Sequence, residues 1–510
     1  MPFWDTVMAS PVDNAYGKRL IPALVDEVAA KDPGRICFSF PRSSNLPDGF
    51  RDMNFRTFAN AINKTAHFIR QEIGLSTMFE TVFYMGHPDV RHFIVLVALM
   101  KTGHKVLLSS NQNSVTGHAE LIKQTDCGIL LHTSGFPISG ILQQCRMESI
   151  CMPELDFLLD DTPCQHYPYE KSFEEAKHQP CLVLHTSSST GLPKPVVWTH
   201  WTISTMDSQH LIPPLDSRPC LWGDIVYESS NRTFSALPVF HGAGIAFGIA
   251  KACFSNSSVV LGPPEFATAD DFAIILDQAG FDSANCLPVT LEEIATKPDV
   301  LEKLNQLKHI TYVGSLSRVA GDTISRYTHL YAIIASTEIC VTTQHATDAE
   351  DWQYVCLNPD MNGIEMRPHG DMYSLVFVST MPQVDNKGNL SKSPRLEEFS
   401  TCDLFSKHPT KPHHWKHEAR TDYRAVVGTR KDMFTAIIEL YNSYHINNEQ
   451  EFISALSSTM QEATSFTEST GQLRKDSIVF ANKKTFAIAG KGTVQGRATV
   501  AMYPAEIDRL

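Results

Sequence analysis

The chain has 510 residues, 43% hydrophobic and 19% charged, which describes an ordinary folded protein too long for a single hydrophobic core. Its formal charge of −13, with no block of lysine and arginine, argues against nucleic acid or an anionic membrane as partner. Met1–Val7 lacks the basic start and long apolar run of a secretory signal, Phe93–Met100 is too short to span a bilayer, and the twelve cysteines contain no CxxC pair; a cytoplasmic protein with reduced thiols is expected.

In chain order, Phe55–Ile69 places apolar residues at steps of three and four and predicts an amphipathic helix. Thr81–Met85 and Lys105–Ser110 read as short buried strands on either side of a helix over His92–Lys101. After an apolar run at Cys181–Leu184 the pattern resumes with a strand at Ser257–Gly262, a helix at Asp270–Ala279 and a strand at His309–Gly314. Strands alternating with helices predict an α/β fold, with parallel-rich sheets covered on both faces and arranged in subdomains. Tyr373–Ser379 is a later β-rich piece, and the Pro- and His-rich Lys407–Trp415 reads as a surface connection. The domain boundary is expected just beyond it, giving a large domain over 1–422 and a small, reduced α+β lobe over 423–510. No internal repeat or low-complexity tract is present.

The most informative stretch is His185–His200, HTSSSTGLPKPVVWTH, directly after the apolar run. A strand, a hydroxyl-rich loop with one glycine and then a lysine suit a nucleotide's phosphates, because N–H groups and hydroxyls wrap the anion and a point charge follows it. The GxxxxGK[ST] spacing is absent. The stretch resembles the phosphate loop of the adenylate-forming (AMP-binding, ANL) superfamily, written roughly TSGSTGxPKxVxxTH, whose members make acyl-AMP from a carboxylic acid and ATP. Four further segments follow in the order that family requires. Leu237–Gly244 (LPVFHGAG) resembles the acyl-pocket element, with His241 beside the carboxylate. Val313–Ser317, containing Gly314 and Ser315, resembles the strand end that borders adenine. Ala335–Glu338 resembles the GSTE element: with Ala335 and Ser336 it implies Thr337 at the α-phosphate and Glu338 on Mg²⁺, a hard cation that takes one carboxylate plus ATP oxygens. Ser400–Leu404 resembles the ribose element, with Asp403 on the hydroxyls, and Arg420 is implied for ribose contact.

The segments Asp403–Pro412 and Ala489–Asp508 resemble the adenylation domains of fungal NRPS-like carboxylic acid reductases, and the similarity runs over nearly the whole chain. It implies that Thr186, Ser187, Ser188, Ser189, Thr190, Gly191 and Lys194 hold the β- and γ-phosphates. It makes Lys491 the lysine that stabilises charge on the carboxylate and α-phosphate. Amino-acid-activating relatives carry an aspartate in the pocket element; Phe234–His241 has no carboxylate, so an aryl, α-keto or other non-amino acid is expected.

The chain departs from the pattern at the hinge, where His417–Tyr423 runs almost directly into Arg424–Gly428 and about thirty residues of the relatives' hairpin have no counterpart. Ser188 replaces a usual glycine, and the chain ends at the segment after which relatives begin a carrier domain. Adenylation should survive these changes better than thioester formation, for which CoA or a carrier protein in trans would be the acceptor. Two other readings stand beside it. One is a degenerate adenylation fold repurposed for another reaction on a pathway intermediate, with or without ATP, and with His241 in acid–base chemistry. The other is a non-catalytic scaffold, which has no need to retain Lys194, Glu338, Asp403 and Lys491 together.

Overall fold

Helix Phe55–Glu72 begins where the Asn54 side chain accepts a hydrogen bond from the Thr57 N–H, and it buries Phe58, Ile62, Ala66 and Ile69 along one stripe. Helix Arg91–Thr102 is different: all of its residues are buried. A helix buried all round must lie between two apolar layers. In the computed structural model, which describes residues 16–187, 192–263, 267–358, 363–379, 397–420, 434–438 and 473–480, those layers are two sheets.

The first sheet has the order Glu148–Cys151, Ile129–His132, Thr81–Met85, Lys105–Leu108, Pro180–Ser187, Pro193–Thr199, and every pair is parallel except the last. The second runs His329–Ile333, His309–Val313, Ser283–Cys286, Arg232–Ser235, Ser258–Leu261, Ile36–Pro41, Phe50–Asn54, again parallel except for the last pair. Strand alternation distributes the side chains. Val82 and Tyr84 face the core between the sheets, while Phe83 and Met85 face outward onto helix Val115–Gln124. Phe234, Val260, Ala284 and Ile310 cover the second sheet's outer face against helices Ala269–Ala279 and Pro288–Ile294. The layers are therefore α/β/α/β/α, which agrees with the expected α/β fold of parallel-rich sheets covered on both faces.

The third sheet is antiparallel, in the order Gln344–His345, Tyr354–Leu357, His414–Arg420, Glu397–Lys407, Met372–Ser379, Ile364–His369. Its core of Val355, Leu357, Leu375, Phe377 and Phe405 packs against Ala332, Ile334 and Ile339. The surface connection expected over Lys407–Trp415 lies within this sheet: residues 408–413 turn between two of its central strands. Proline and histidine density marked the turn but hid its anchoring: Lys411 pairs with Asp348, Glu350 and Asp351, and Arg218 also pairs with Asp348. Those three carboxylates form the one described group close enough for a cation, and the Lys411 ammonium already sits among them.

The strand expected over Lys105–Ser110 stops at Leu108, because the Ser110 N–H leaves the ladder to donate to His185 Nε2. In the C-terminal region Phe434–Ile438 pairs in parallel with Leu473–Phe480; the hinge at 422–424 lies outside the described residues. No described helix is long and apolar enough to cross a membrane, and the eleven described cysteines are free thiols.

Candidate active site

The phosphate-loop motif folds as a hairpin at the carboxyl end of a parallel strand. Thr186 lies opposite Lys194 and Ser187 opposite Pro193, so the lysine projects from the returning strand, where it is exposed. Ser188, Ser189, Thr190 and Gly191 at the tip lie outside the described residues, as does the Ser187 side chain. The hairpin's base is tied down by His185, whose Nε2 accepts from the Ser110 N–H at 3.1 Å and from Asn113 Nδ2 at 3.2 Å.

The Ala335–Glu338 motif is a second hairpin. Ala335–Ser336 pairs with Cys340–Val341, leaving Thr337, Glu338 and Ile339 as a three-residue tip. Cys340 takes a φ of 61°, the left-handed conformation such a loop needs at its closing position. Thr337 is buried while Glu338 is exposed, and Glu338 forms no ion pair with a described residue. The Ser336 hydroxyl is buried with no hydrogen-bond partner among the described residues. A lone unpaired carboxylate beside an orphaned hydroxyl fits a cation that keeps phosphate oxygens and water as its other ligands.

Gly314 leaves strand His309–Val313 at φ 109°, a conformation open to glycine. Val313 is in register with Ile333, so Gly314–Ser315 and the Ala335 hairpin emerge side by side from the carboxyl ends of neighbouring parallel strands. Ligands of open α/β sheets bind at that edge. His241 caps the single-turn helix Gly242–Gly244, its Nδ1 accepting from the Ala243 N–H at 3.2 Å; the neutral ring therefore carries its proton on Nε2.

Asp403 sits on the third sheet, partly buried, with His417 Nε2 at 3.3 Å from Oδ1 and its own N–H donating to Thr401 Oγ1 at 3.1 Å. The Arg420 backbone is in register opposite it; the Arg420 side chain and Lys491 lie outside the described residues.

The anchors that hold these segments were not foreseen. Trp198, on the phosphate-loop hairpin, donates its indole N–H to the Thr337 carbonyl at 2.7 Å. The same ring would lie 3.3 Å from a Cβ at Gly242, next to His241. Trp222 donates to the Thr342 carbonyl at 3.1 Å, and the Gln344 amide accepts from the Ile334 N–H at 2.8 Å and donates to the Ala332 carbonyl at 3.2 Å. The available signal was chemical: a buried tryptophan must find an acceptor for its N–H.

Residues 25–361 match the family model of AMP-binding enzymes, and residues 416–510 match that of the AMP-binding enzyme C-terminal domain. An isocyanide synthase–NRPS hybrid of Aspergillus fumigatus is 31% identical over 97% of this chain and 34% of its own length. A carboxylic acid reductase of Neurospora crassa is 28% identical over 99% of this chain and 51% of its own. The chain thus spans about half or less of these curated relatives. Among solved structures, a benzoate CoA ligase from Burkholderia xenovorans superposes with a TM-score of 0.69 at 14% identity, covering 94% of this chain and 99% of that one, a likeness of fold.

Proposed function

The chain belongs to the AMP-binding enzyme family, and we propose that it activates a carboxylic acid as its acyl-AMP, releasing pyrophosphate. The observation that carries this reading is that Trp198, on the hairpin that carries Lys194, reaches both the Thr337 carbonyl and Gly242 beside His241, while Gly314–Ser315 and the Ala335 hairpin leave neighbouring parallel strands. A carboxylate oxygen attacks the α-phosphorus of ATP, the bond to the bridging oxygen breaks, and pyrophosphate leaves with that electron pair. No proton and no protein nucleophile are needed, so positioning and charge neutralisation do the work.

In this reading Thr186 to Gly191 and Lys194 hold the β- and γ-phosphates, Gly314 and Ser315 border the base, and Thr337 meets the α-phosphate. Asp403 and Arg420 hold the ribose, His241 faces the acid, and Lys491 approaches the reacting centre from the C-terminal lobe. Mg²⁺ held by Glu338 would neutralise phosphate charge. The acid is an aryl, α-keto or other non-amino acid, since Phe234–His241 offers no carboxylate to an ammonium. A domain boundary near Asp422 is supported by the third sheet, which continues through Arg420. The setting is cytoplasmic and within fungal secondary metabolism, with CoA or a carrier protein in trans as the candidate acceptor.

The test is acid-dependent exchange of labelled pyrophosphate into ATP across aryl, α-keto, fatty and amino acids. Exchange with a non-amino acid that is lost in Lys491→Ala is expected. Folded protein without exchange for any acid would sink adenylation and favour a repurposed cleft acting without ATP.

A further inference from the structure

Two buried indoles hold the hairpin that carries Thr337 and Glu338, and they hold it at different places. Trp198, 2% exposed, reaches the carbonyl of the tip residue Thr337 at 2.7 Å. Trp222, fully buried, reaches the carbonyl of Thr342 at 3.1 Å, beyond the returning strand. In a trans peptide the C=O and the following N–H point in opposite directions within one rigid plane. The Thr337 carbonyl points at the buried Trp198 indole, so the Glu338 N–H in the same peptide plane points away from it; the Glu338 side chain is exposed. The six-membered ring of Trp198 also packs against Gly242, beside His241, with its Cη2 and Cζ2 atoms nearest. One side chain therefore supports both the phosphate-side loop and the acid-side segment.

Resting on the adenylation reading, we propose that Trp198 is a positioning residue of the reaction. Its N–H fixes the Thr337–Glu338 peptide so that the Glu338 N–H and the Thr337 side chain are set before substrates arrive, where preorganised donors act most strongly. Without that donor the buried carbonyl seeks another partner and the peptide plane rotates. Trp222 makes a hydrogen bond of the same chemical type outside the tip and serves as the matched control.

The test compares Trp198→Phe with Trp222→Phe by pyrophosphate exchange, thermal unfolding and hydrogen exchange of the Ser336–Ile339 amides. Both variants should lose similar stability. Trp198→Phe should lower kcat at least about tenfold with the acid KM within about threefold, and should deprotect the tip amides; Trp222→Phe should do neither. If Phe leaves the protein unfolded, β-(3-benzothienyl)alanine at position 198 keeps the ring shape and removes the N–H alone. Wild-type kcat in the Trp198 variant, equal losses of kcat in both variants, or unchanged tip protection would overturn the proposal. A wild-type protein silent towards every acid would instead remove the adenylation reading, and tip protection then tests the clamp by itself.

Discussion

The two edges of the second sheet are built from opposite chemistry. At the carboxyl edge Gly314, Ser315 and the Glu338 tip turn outward from strand ends, with exposed groups on an anchored backbone. At the amino edge Thr233, Ser283 and His309 lie buried at or near the starts of their strands, and a hydroxyl chain links the first two to a lysine. Thr233 Oγ1 meets Ser283 Oγ at 2.8 Å and Ser230 Oγ at 3.0 Å. Lys251 Nζ donates to Ser230 Oγ at 3.2 Å and to the Val226 carbonyl. Desolvation pulls Lys251 down to about 7 and His309 down to about 3. These strong perturbations lie at the edge away from the candidate site. Burial alone shifts a pKa, so a shifted group marks function only where topology also exposes it to a ligand. Three experiments would break or sharpen this contrast.

The largest effect should come from acid. His92, His200 and His309 are buried, and desolvation holds them neutral, with values of about 4, 3 and 3. Their folded values lie below the ordinary 6.5, so the unfolded chain takes up protons first as pH falls. The stability they contribute is complete above about pH 6.5 and is lost progressively as pH falls toward about 4 for His92 and about 3 for His200 and His309, at most on the order of 3–5 kcal/mol per ring. Thermal melts should show Tm dropping steeply between about pH 6.5 and 4.5. A flat profile would mean these rings are not held neutral.

Next in size, Glu338→Gln should cut pyrophosphate exchange by about a hundredfold while leaving Tm within about 1 °C, because the side chain is exposed. Comparable losses of Tm and activity would show that the outward edge is structural after all.

The smallest effect belongs to the buried edge. Lys251→Ala leaves the Val226 carbonyl and the Ser230 hydroxyl without their donor and should cost about 2–4 kcal/mol in chemical denaturation. Activity per folded molecule should stay within about twofold. The sign with pH is also set: a lysine lowered to about 7 is penalised while charged, so wild type should gain stability as pH rises from 7 toward its ordinary 10.5. The variant should lack that gain, and an equal gain in both would assign it to other groups.

Much of the α/β core was legible because strand and helix periods differ, and the helix over Arg91–Thr102, with its apolar run Phe93–Met100, falls between two strands as expected. The hairpin at Lys407–Trp415 was not, since proline and histidine mark a turn without saying which strands it joins. The motif residues could be named from their resemblance to the family's segments, yet their anchors could not: Trp198 and Thr337 are far apart in the chain, and no local pattern pairs an indole with a distant carbonyl. His185 likewise reads as part of a loop motif, while its role is to accept the Ser110 N–H where a strand ends early.

By itself, then, the order of residues determined the alternation of strands and helices, the hydroxyl-rich loop with its lysine, and the separate segments that suit a nucleotide and an acid. These are local properties, carried by periodicity and side-chain chemistry within a few residues. Only the tertiary structure decided that the loop is a hairpin with Lys194 opposite Thr186, that Thr337 and Glu338 crown a second hairpin, and that Trp198 ties the two together. Those are contacts between distant parts of the chain, and they exist because packed sheets bring strand ends to a common edge where buried donors must find acceptors.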